Sequence, residues 1–332
     1  MRYGLGVVVA LVAMLVGALT LAACDGADDN GTPEEDATRG QDGAYTFAWI
    51  SHGSEGDPFW PNVLRAANKA ADDLGVELES SFHQNDVADQ KEAFAAVIAA
   101  GVDGIATTSP DPDVLTEEVA QAQRADIPVV FFNTDDPGTG RTAYVGGNLF
   151  QAGQEWANYL VRNDLVQNGD SVWLPVEVPG ATYQKEETRG IASVFDPRGI
   201  EYEVFDAKFD PAESRAAMTE FLSARGNEID AVIGLGDLVM ANIKPVFDEV
   251  GWEPGQVPVV GWGNTPDTTQ AVQEGYVNAA TWQYPDSQGY LPIVFLFMIK
   301  EGSAIGYDVS TLTLYDESTV DRFADLAEQF AE

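Results

Sequence analysis

The chain has 332 residues, 45% of them hydrophobic, which is enough for ordinary buried cores and is not a disordered composition. Acidic residues number 54 against 17 basic ones, a formal net charge of −37, and such a surface repels nucleic acid and anionic lipid. A single cysteine excludes an internal disulfide, and two histidines make a zinc site of ordinary ligand spacing unexpected.

The N-terminus reads as a targeting segment. Arg2 is its only charge, Gly4 to Ala23 is uncharged and mostly apolar, and the segment ends Leu21-Ala22-Ala23-Cys24. A positive start, an apolar stretch and a small-residue cleavage site describe an export signal. The stretch is almost long enough to span a membrane as a permanent anchor, but the placement of the lone cysteine argues against that. Leu-Ala-Ala-Cys resembles the lipobox of bacterial lipoproteins, in which the Cys becomes the lipidated first residue. Residues 1–23 are therefore expected to be a signal peptide and Cys24 a lipidation site. Residues 24–44 are polar and Gly-rich and lack the apolar surface to fold, as suits a flexible tether.

From Tyr45 onward, strand and helix signals alternate. Thr46–Ile50 is a short apolar strand. Pro61–Leu74 places Val63, Leu64, Ala67, Ala70, Ala71 and Leu74 on one helical face, and Gly75 can end the helix. Val76–Leu78 is a strand. Ala93, Phe94, Val97, Ile98 and Ala100 mark a helix stopped by Gly101. Asp103–Thr107 is a strand, Val114–Gln123 a helix, and Ile127–Phe132 a buried strand. In the second half, strands are expected near 171–176, 201–206, 229–234 and 257–261. Helices are expected near 183–195, 211–224, 237–250 and 266–274. Strict alternation predicts an α/β fold, with parallel sheets carrying helices on both faces. Two such lobes fit the length. Ligands of doubly wound sheets sit at the carboxyl ends of strands, so the loops after strands are where function should lie.

Enzyme signatures are missing. There is no Walker A sequence and no Gly-x-Ser-x-Gly elbow, and Gly234-Leu235-Gly236 lacks the third glycine of a dinucleotide fingerprint. In so acidic a chain, carboxylate pairs arise by chance. The expectation is a non-enzyme with no cofactor and no metal.

Four loops carry chemistry of another kind. Ser51-His52-Gly53-Ser54-Glu55-Gly56-Asp57-Pro58-Phe59-Trp60 follows the first strand and sets two aromatics beside a carboxylate. Sugars have apolar C–H faces and hydroxyl edges, which a ring and an Asp or Asn would cover. Phe59 and Trp60 could equally staple the helix to the core. Phe131-Phe132-Asn133-Thr134-Asp135 and Val260-Gly261-Trp262-Gly263-Asn264-Thr265-Pro266-Asp267 also end strands in polar groups, and Thr281-Trp282-Gln283-Tyr284-Pro285-Asp286 resembles a crossing between lobes. Together these loops resemble the type I periplasmic sugar-binding protein family, including its ribose and galactose/glucose branches, over residues 45–330.

That resemblance implies two similar doubly wound lobes joined by three hinge crossings. Residues 45–147 plus 284–303 would form the N-terminal lobe, and 148–283 plus 304–332 the C-terminal lobe. Crossings would fall near Gly146–Asn148, Gly263–Thr265 and Gln283–Tyr284. By the same resemblance, Phe59 and Trp60 stack on the ligand and Asp57 hydrogen-bonds it. Asn133 and Gln283 take hydroxyls, Trp262 supplies a further ring, Asn264 replaces a family aspartate that is Gly263 here, and Asp237 remains of an Asn-Asp pair. The family's arginine has no clear counterpart among residues 179–189, where Tyr183 and Gln184 are the candidates and Arg189 is a weaker one. The implied function is an extracytoplasmic lipoprotein, anchored on the outer face of the cytoplasmic membrane, that captures a sugar or polyol for an ABC permease. The alternative is a solute sensor serving a chemoreceptor or sensor kinase. A monomer is expected, without nucleic acid; the export signal and the lack of a basic DNA-binding region set aside a LacI-type repressor core of the same fold.

Overall fold

The computed structural model describes residues 44–57 and 59–331. Residues 1–43, over which an export signal, a lipidated Cys24 and most of a tether were expected, lie outside the described residues, as do Pro58 and Glu332.

The first lobe runs β1 (Thr46–Ser51), α1 (Trp60–Leu74), β2 (Glu77–Phe82), α2 (Val87–Ala100), β3 (Gly104–Thr107), α3 (Thr116–Arg124), β4 (Val129–Phe132) and β5 (Ala143–Gly146). The second runs α4 (Leu149–Arg162), β6 (Ser171–Val176), α5 (Thr182–Phe195), β7 (Glu201–Asp206), α6 (Pro211–Arg225), β8 (Ala231–Gly234), α7 (Asp237–Ala241), α8 (Ile243–Val250), β9 (Val259–Trp262), α9 (Pro266–Gln273) and β10 (Ala279–Trp282). The chain then returns through α10 (Pro285–Lys300) and β11 (Asp308–Ser310) to the first lobe. It ends with β12 (Thr313–Asp316) and α11 (Val320–Ala331) on the second.

Strand order is β2-β1-β3-β4-β5-β11 in one sheet and β7-β6-β8-β9-β10-β12 in the other. The two orders correspond strand for strand, so the lobes are alike, as expected. Every pairing is parallel except β10 with β12. The sequence dictates the layering. Val129-Val130-Phe131-Phe132 and Ala231-Val232-Ile233-Gly234 are buried throughout, because helices cover both faces of a central parallel strand. The edge strands β2 and β7 instead carry Glu77, Glu79, Glu201 and Glu203 on exposed positions, which blunts the edges against further pairing. Side chains of Asp86, Asn148 and Asp210 cap the starts of α2, α4 and α6. Gly75 and Gly101 end α1 and α2 in the left-handed region that glycine tolerates.

Three expectations need correction. The helix expected over 237–250 is two helices broken at Asn242. Pro245 has no N–H and its ring crowds the carbonyl four residues back, that of Ala241, where α7 stops. Second, Gly263–Thr265 joins β9 to α9 within one lobe and is not a crossing. Third, β11 pairs with β5, so residues 308–310 belong to the first sheet although 304–332 were expected in the second lobe. The free edge of β5 takes up this strand, and the chain changes lobe only at Thr311–Leu312.

The crossings are thus residues 147–148, 283–284 and 311–312, and they lie together. Gln288 Nε2 donates to the Gln283 carbonyl at 2.8 Å and to Thr311 Oγ1 at 3.1 Å, and the Thr311 amide donates to the Gly146 carbonyl at 3.2 Å. A side chain on Gly147 would fall 2.6 Å from Leu312. Both sheets belong to one unit of the chain, Asp42–Glu332. Among the described residues, no helix is long and apolar enough to cross a membrane.

Candidate functional site

The carboxyl ends of the two sheets face each other across a cavity of about 80 Å³. By the measure that a water needs roughly 10–15 Å³ of such space, it holds several waters or one small polar molecule. The Thr182 amide donates to the Pro110 carbonyl at 3.4 Å, so the lobes touch beside it.

The first lobe supplies the apolar wall. β1 runs into His52-Gly53, and a Cβ on Gly53 would sit 2.2 Å from the Trp60 ring, so only glycine lets the ring lie there. Asp57 Oδ1 accepts the Phe59 amide at 2.9 Å, a local turn that presents the two aromatics. Phe59 and Trp60 meet edge to face at 5.2 Å, and Trp60 meets the His52 ring at 5.0 Å. Both rings are buried in the first-lobe core and both line the cavity. Core staple and cavity wall are therefore one structure, not alternatives. Burial pulls the His52 pKa down to about 4, so its ring is neutral. After β4, Asn133 takes a positive φ of 59° and donates through Nδ2 to Gln288 Oε1 at 3.2 Å, tying this wall to the hinge.

The second lobe supplies carboxylates. Glu177, at the end of β6, accepts the Leu238 and Val239 amides at 3.1 and 3.2 Å through Oε1. Its oxygens occupy the space where a Cβ on Gly236 would stand. Asp237 accepts the Asn264 amide at 2.9 Å and Asn264 Nδ2 at 2.7 Å, while Asn264 Oδ1 accepts the Gln283 amide at 2.6 Å. Trp262 Nε1 donates to Glu187 Oε1 at 3.0 Å, and its ring packs edge to face on Trp156 at 4.9 Å. α4 and α5 approach so closely that a Cβ on Gly153 would lie 2.0 Å from the Glu187 carbonyl oxygen.

Burial sets the electrostatics. It pushes Asp57 up to about 8, Glu177 to about 7 and Asp237 to about 6, and it drives Glu187 well above the usual carboxylate range. Burial in the cavity therefore disfavours the charged form of all four carboxyl groups. Among the described residues, no His, Cys, Asp or Glu cluster is arranged to hold a metal ion.

Eight of the expected residues line the cavity: Asp57, Phe59, Trp60, Asn133, Tyr183, Asp237, Trp262 and Gln283. Two do not. Asn264 stands behind Asp237 and braces it against Gln283. Gln184 turns to its own loop, accepting the Gly180 amide at 2.9 Å and donating to Thr188 Oγ1 at 2.8 Å. Arg189 pairs with Glu186 and lies over the Phe150 ring, away from the cavity. The residues not foreseen are Glu177 and Glu187, with His52, Asn85 and Phe209 beside them. For Glu177 a signal existed, a lone carboxylate closing the apolar strand Val172–Val176; among 54 acidic residues it did not stand out.

A cavity walled by the carboxyl ends of two like lobes, with the crossings gathered on one side, defines a two-lobed binding protein. The chain belongs to the family described as periplasmic binding protein domain, whose model matches residues 47–304. Among characterised proteins it is 26% identical over 238 residues to a putative rhizopine-binding protein of Rhizobium meliloti, covering 70% of this chain and 76% of that one. It is 25% identical over 236 residues to the xylose/arabinose-binding protein of Sulfolobus acidocaldarius, covering 65% of this chain but only 57% of the relative. Among solved structures, a carbohydrate transporter from Acidothermus cellulolyticus in complex with myo-inositol superposes with a TM-score of 0.78 at 24% identity, covering 87% of this chain and all of that one. A solute-binding protein from Burkholderia graminis in complex with D-arabinose gives 0.75 at 24% identity, covering 84% of this chain and 97% of that one. These likenesses establish the fold.

Proposed function

We propose that the chain is an exported receptor that captures a sugar or related polyol in the interlobe cavity and delivers it to an ABC importer. The observation that carries this reading is the division of labour in the cavity: Phe59, Trp60 and Trp262 offer apolar surface, and Asp57, Asn133, Asp237 and Gln283 offer polar atoms around it. A sugar or cyclitol has the matching two surfaces. Related proteins named for xylose, arabinose and ribose, and like folds holding myo-inositol and D-arabinose, support the same solute class. Cys24, following Leu21-Ala22-Ala23, would hold the protein to the membrane by lipid, with the polar segment behind it as a tether.

A thermal-shift screen against sugars and polyols tests the solute class, because a ligand that binds only the folded state raises the melting temperature. At a ligand concentration 100 times Kd the gain is about 2.7 kcal/mol, well within detection. A screen in which no sugar or polyol shifts the transition removes the reading. For the anchor, Cys24→Ser protein that remains membrane-bound after a high-salt wash would contradict lipid attachment.

A further inference from the structure

Charge in the cavity is one-sided. Asp57 enters from the first lobe and Glu177, Glu187 and Asp237 from the second, while among the described residues no lysine or arginine lines it. The one imidazole there, His52, is neutral. The carboxyl groups also sense one another. Burial is the main cause of their raised pKa values, and the charges of Glu177 and Asp237 add to it at both Asp57 and Glu187.

Each of the four has a partner in the protein. Glu177 takes two backbone amides, Asp237 takes Asn264 through both oxygens, and Asp57 takes the Phe59 amide. Glu187 differs. It is fully buried, Oε1 accepts the Trp262 indole, and Oε2 is buried with no hydrogen-bond partner. A buried carboxylate oxygen without a donor is costly and rare, and it marks a place where a ligand can supply one. Its position is built, because Gly153 lets α4 press against the backbone of Glu187 itself.

A neutral hydroxyl could donate to Glu187 Oε2 but brings no charge to offset the burial of the acidic groups around it. A cationic N–H donor favours their ionised form and makes a stronger, charge-assisted bond to Glu187. Trp60 and Trp262 line the same cavity, and aromatic rings attract cations. Among the described residues no carboxylate cluster is arranged for a metal ion, so the cavity suits an organic cation better than a metal. We propose that the solute is a polyhydroxylated amine, an amino sugar or aminocyclitol in class, whose ammonium group is held by Glu187 and faces the other carboxylates of the second lobe. This rests on the sugar or polyol reading of the cavity and narrows it.

The test is titration calorimetry on the purified protein with matched pairs: D-glucosamine against D-glucose, D-galactosamine against D-galactose, and scyllo-inosamine against scyllo-inositol, with the N-acetylated amines as uncharged controls. At least one amine is expected to bind ten times or more tightly than its hydroxyl parent, and N-acetylation should erase that gain. Glu187→Gln, which keeps an acceptor for Trp262, should bring amine and parent within about threefold of each other. Binding of neutral parents with no amine gaining over its parent in any pair overturns the inference while leaving the polyol receptor standing. If no compound of either kind binds, the polyol reading fails and this inference fails with it. The wild-type comparison needs no variant, so a misfolded Glu187→Gln protein would not rescue the proposal.

Discussion

Asn264 separates a brace from a ligand contact. Its side chain donates to Asp237 Oδ2 at 2.7 Å and accepts the Gln283 amide at 2.6 Å, and the residue is buried. Asn264→Ala removes both bonds at once. The Gln283 amide loses its acceptor, and Asp237 Oδ2 keeps only Gln283 Nε2 at 3.5 Å. Each buried polar group left unsatisfied costs about 1–3 kcal/mol, so the pair costs roughly 2–5 kcal/mol. In a protein of this size 1 kcal/mol moves the melting temperature by about 2–4 °C. Asn264→Ala should therefore melt roughly 5–15 °C below wild type without any ligand present. Scanning calorimetry of the ligand-free protein measures this. If the variant melts within about 2 °C of wild type yet loses affinity for solute, Asn264 is a ligand contact and the bracing argument is wrong.

Three further outcomes follow from the same geometry. Because burial raises Asp57, Glu177 and Asp237 to about 8, 7 and 6, the folded protein holds protons that the unfolded chain releases, and stability from these groups is complete below about pH 4 and lost as pH rises through 6–8. The ligand-free protein should melt lower at pH 8.5 than at pH 5.5, and a melting temperature that rises over that interval would refute the protonated cavity. Gly153→Ala must push α5 away from α4, since the new Cβ would sit 2.0 Å from the Glu187 carbonyl oxygen; overpacking of about 1–3 kcal/mol and solute affinity at least tenfold weaker are expected by calorimetry, and wild-type affinity would show that Glu187 is not positioned by this contact. The net charge of −37 should make the melting temperature climb from low salt to molar KCl as repulsion is screened over about 10 Å at 0.1 M and less above it, whereas a flat curve would show that surface repulsion does not limit stability.

Much of the fold was legible because hydrophobic period and glycine stops are local. β6, β7, α5 and α6 fall within a residue or so of expectation for that reason. α10 was not read, since its run Leu291–Ile299 is apolar on all sides and Pro292 looks like a break; only packing against α1 and the first sheet makes it a helix. β11 was assigned to the wrong lobe because strand membership depends on which edge lies free, which no local pattern records. In the cavity, aromatics and amides at strand ends were legible by residue type. Asn264 and Gln184 lie in segments that border the cavity but turn to protein partners, a matter of side-chain direction. Glu187 was invisible as one acid among many, and only its burial and its unpartnered oxygen distinguish it.

The central claim is that the cavity between the lobes is where solute binds. A crystal structure of the protein with the tightest-binding compound of the calorimetry panel tests it most directly. The account predicts one molecule between Trp60 and Trp262 with hydrogen bonds to Asp57 and Asp237, and a nitrogen within about 3 Å of Glu187 Oε2, the usual length of an N–H···O bond. A compound bound with the same affinity elsewhere on the surface, with this cavity holding only water, would contradict it.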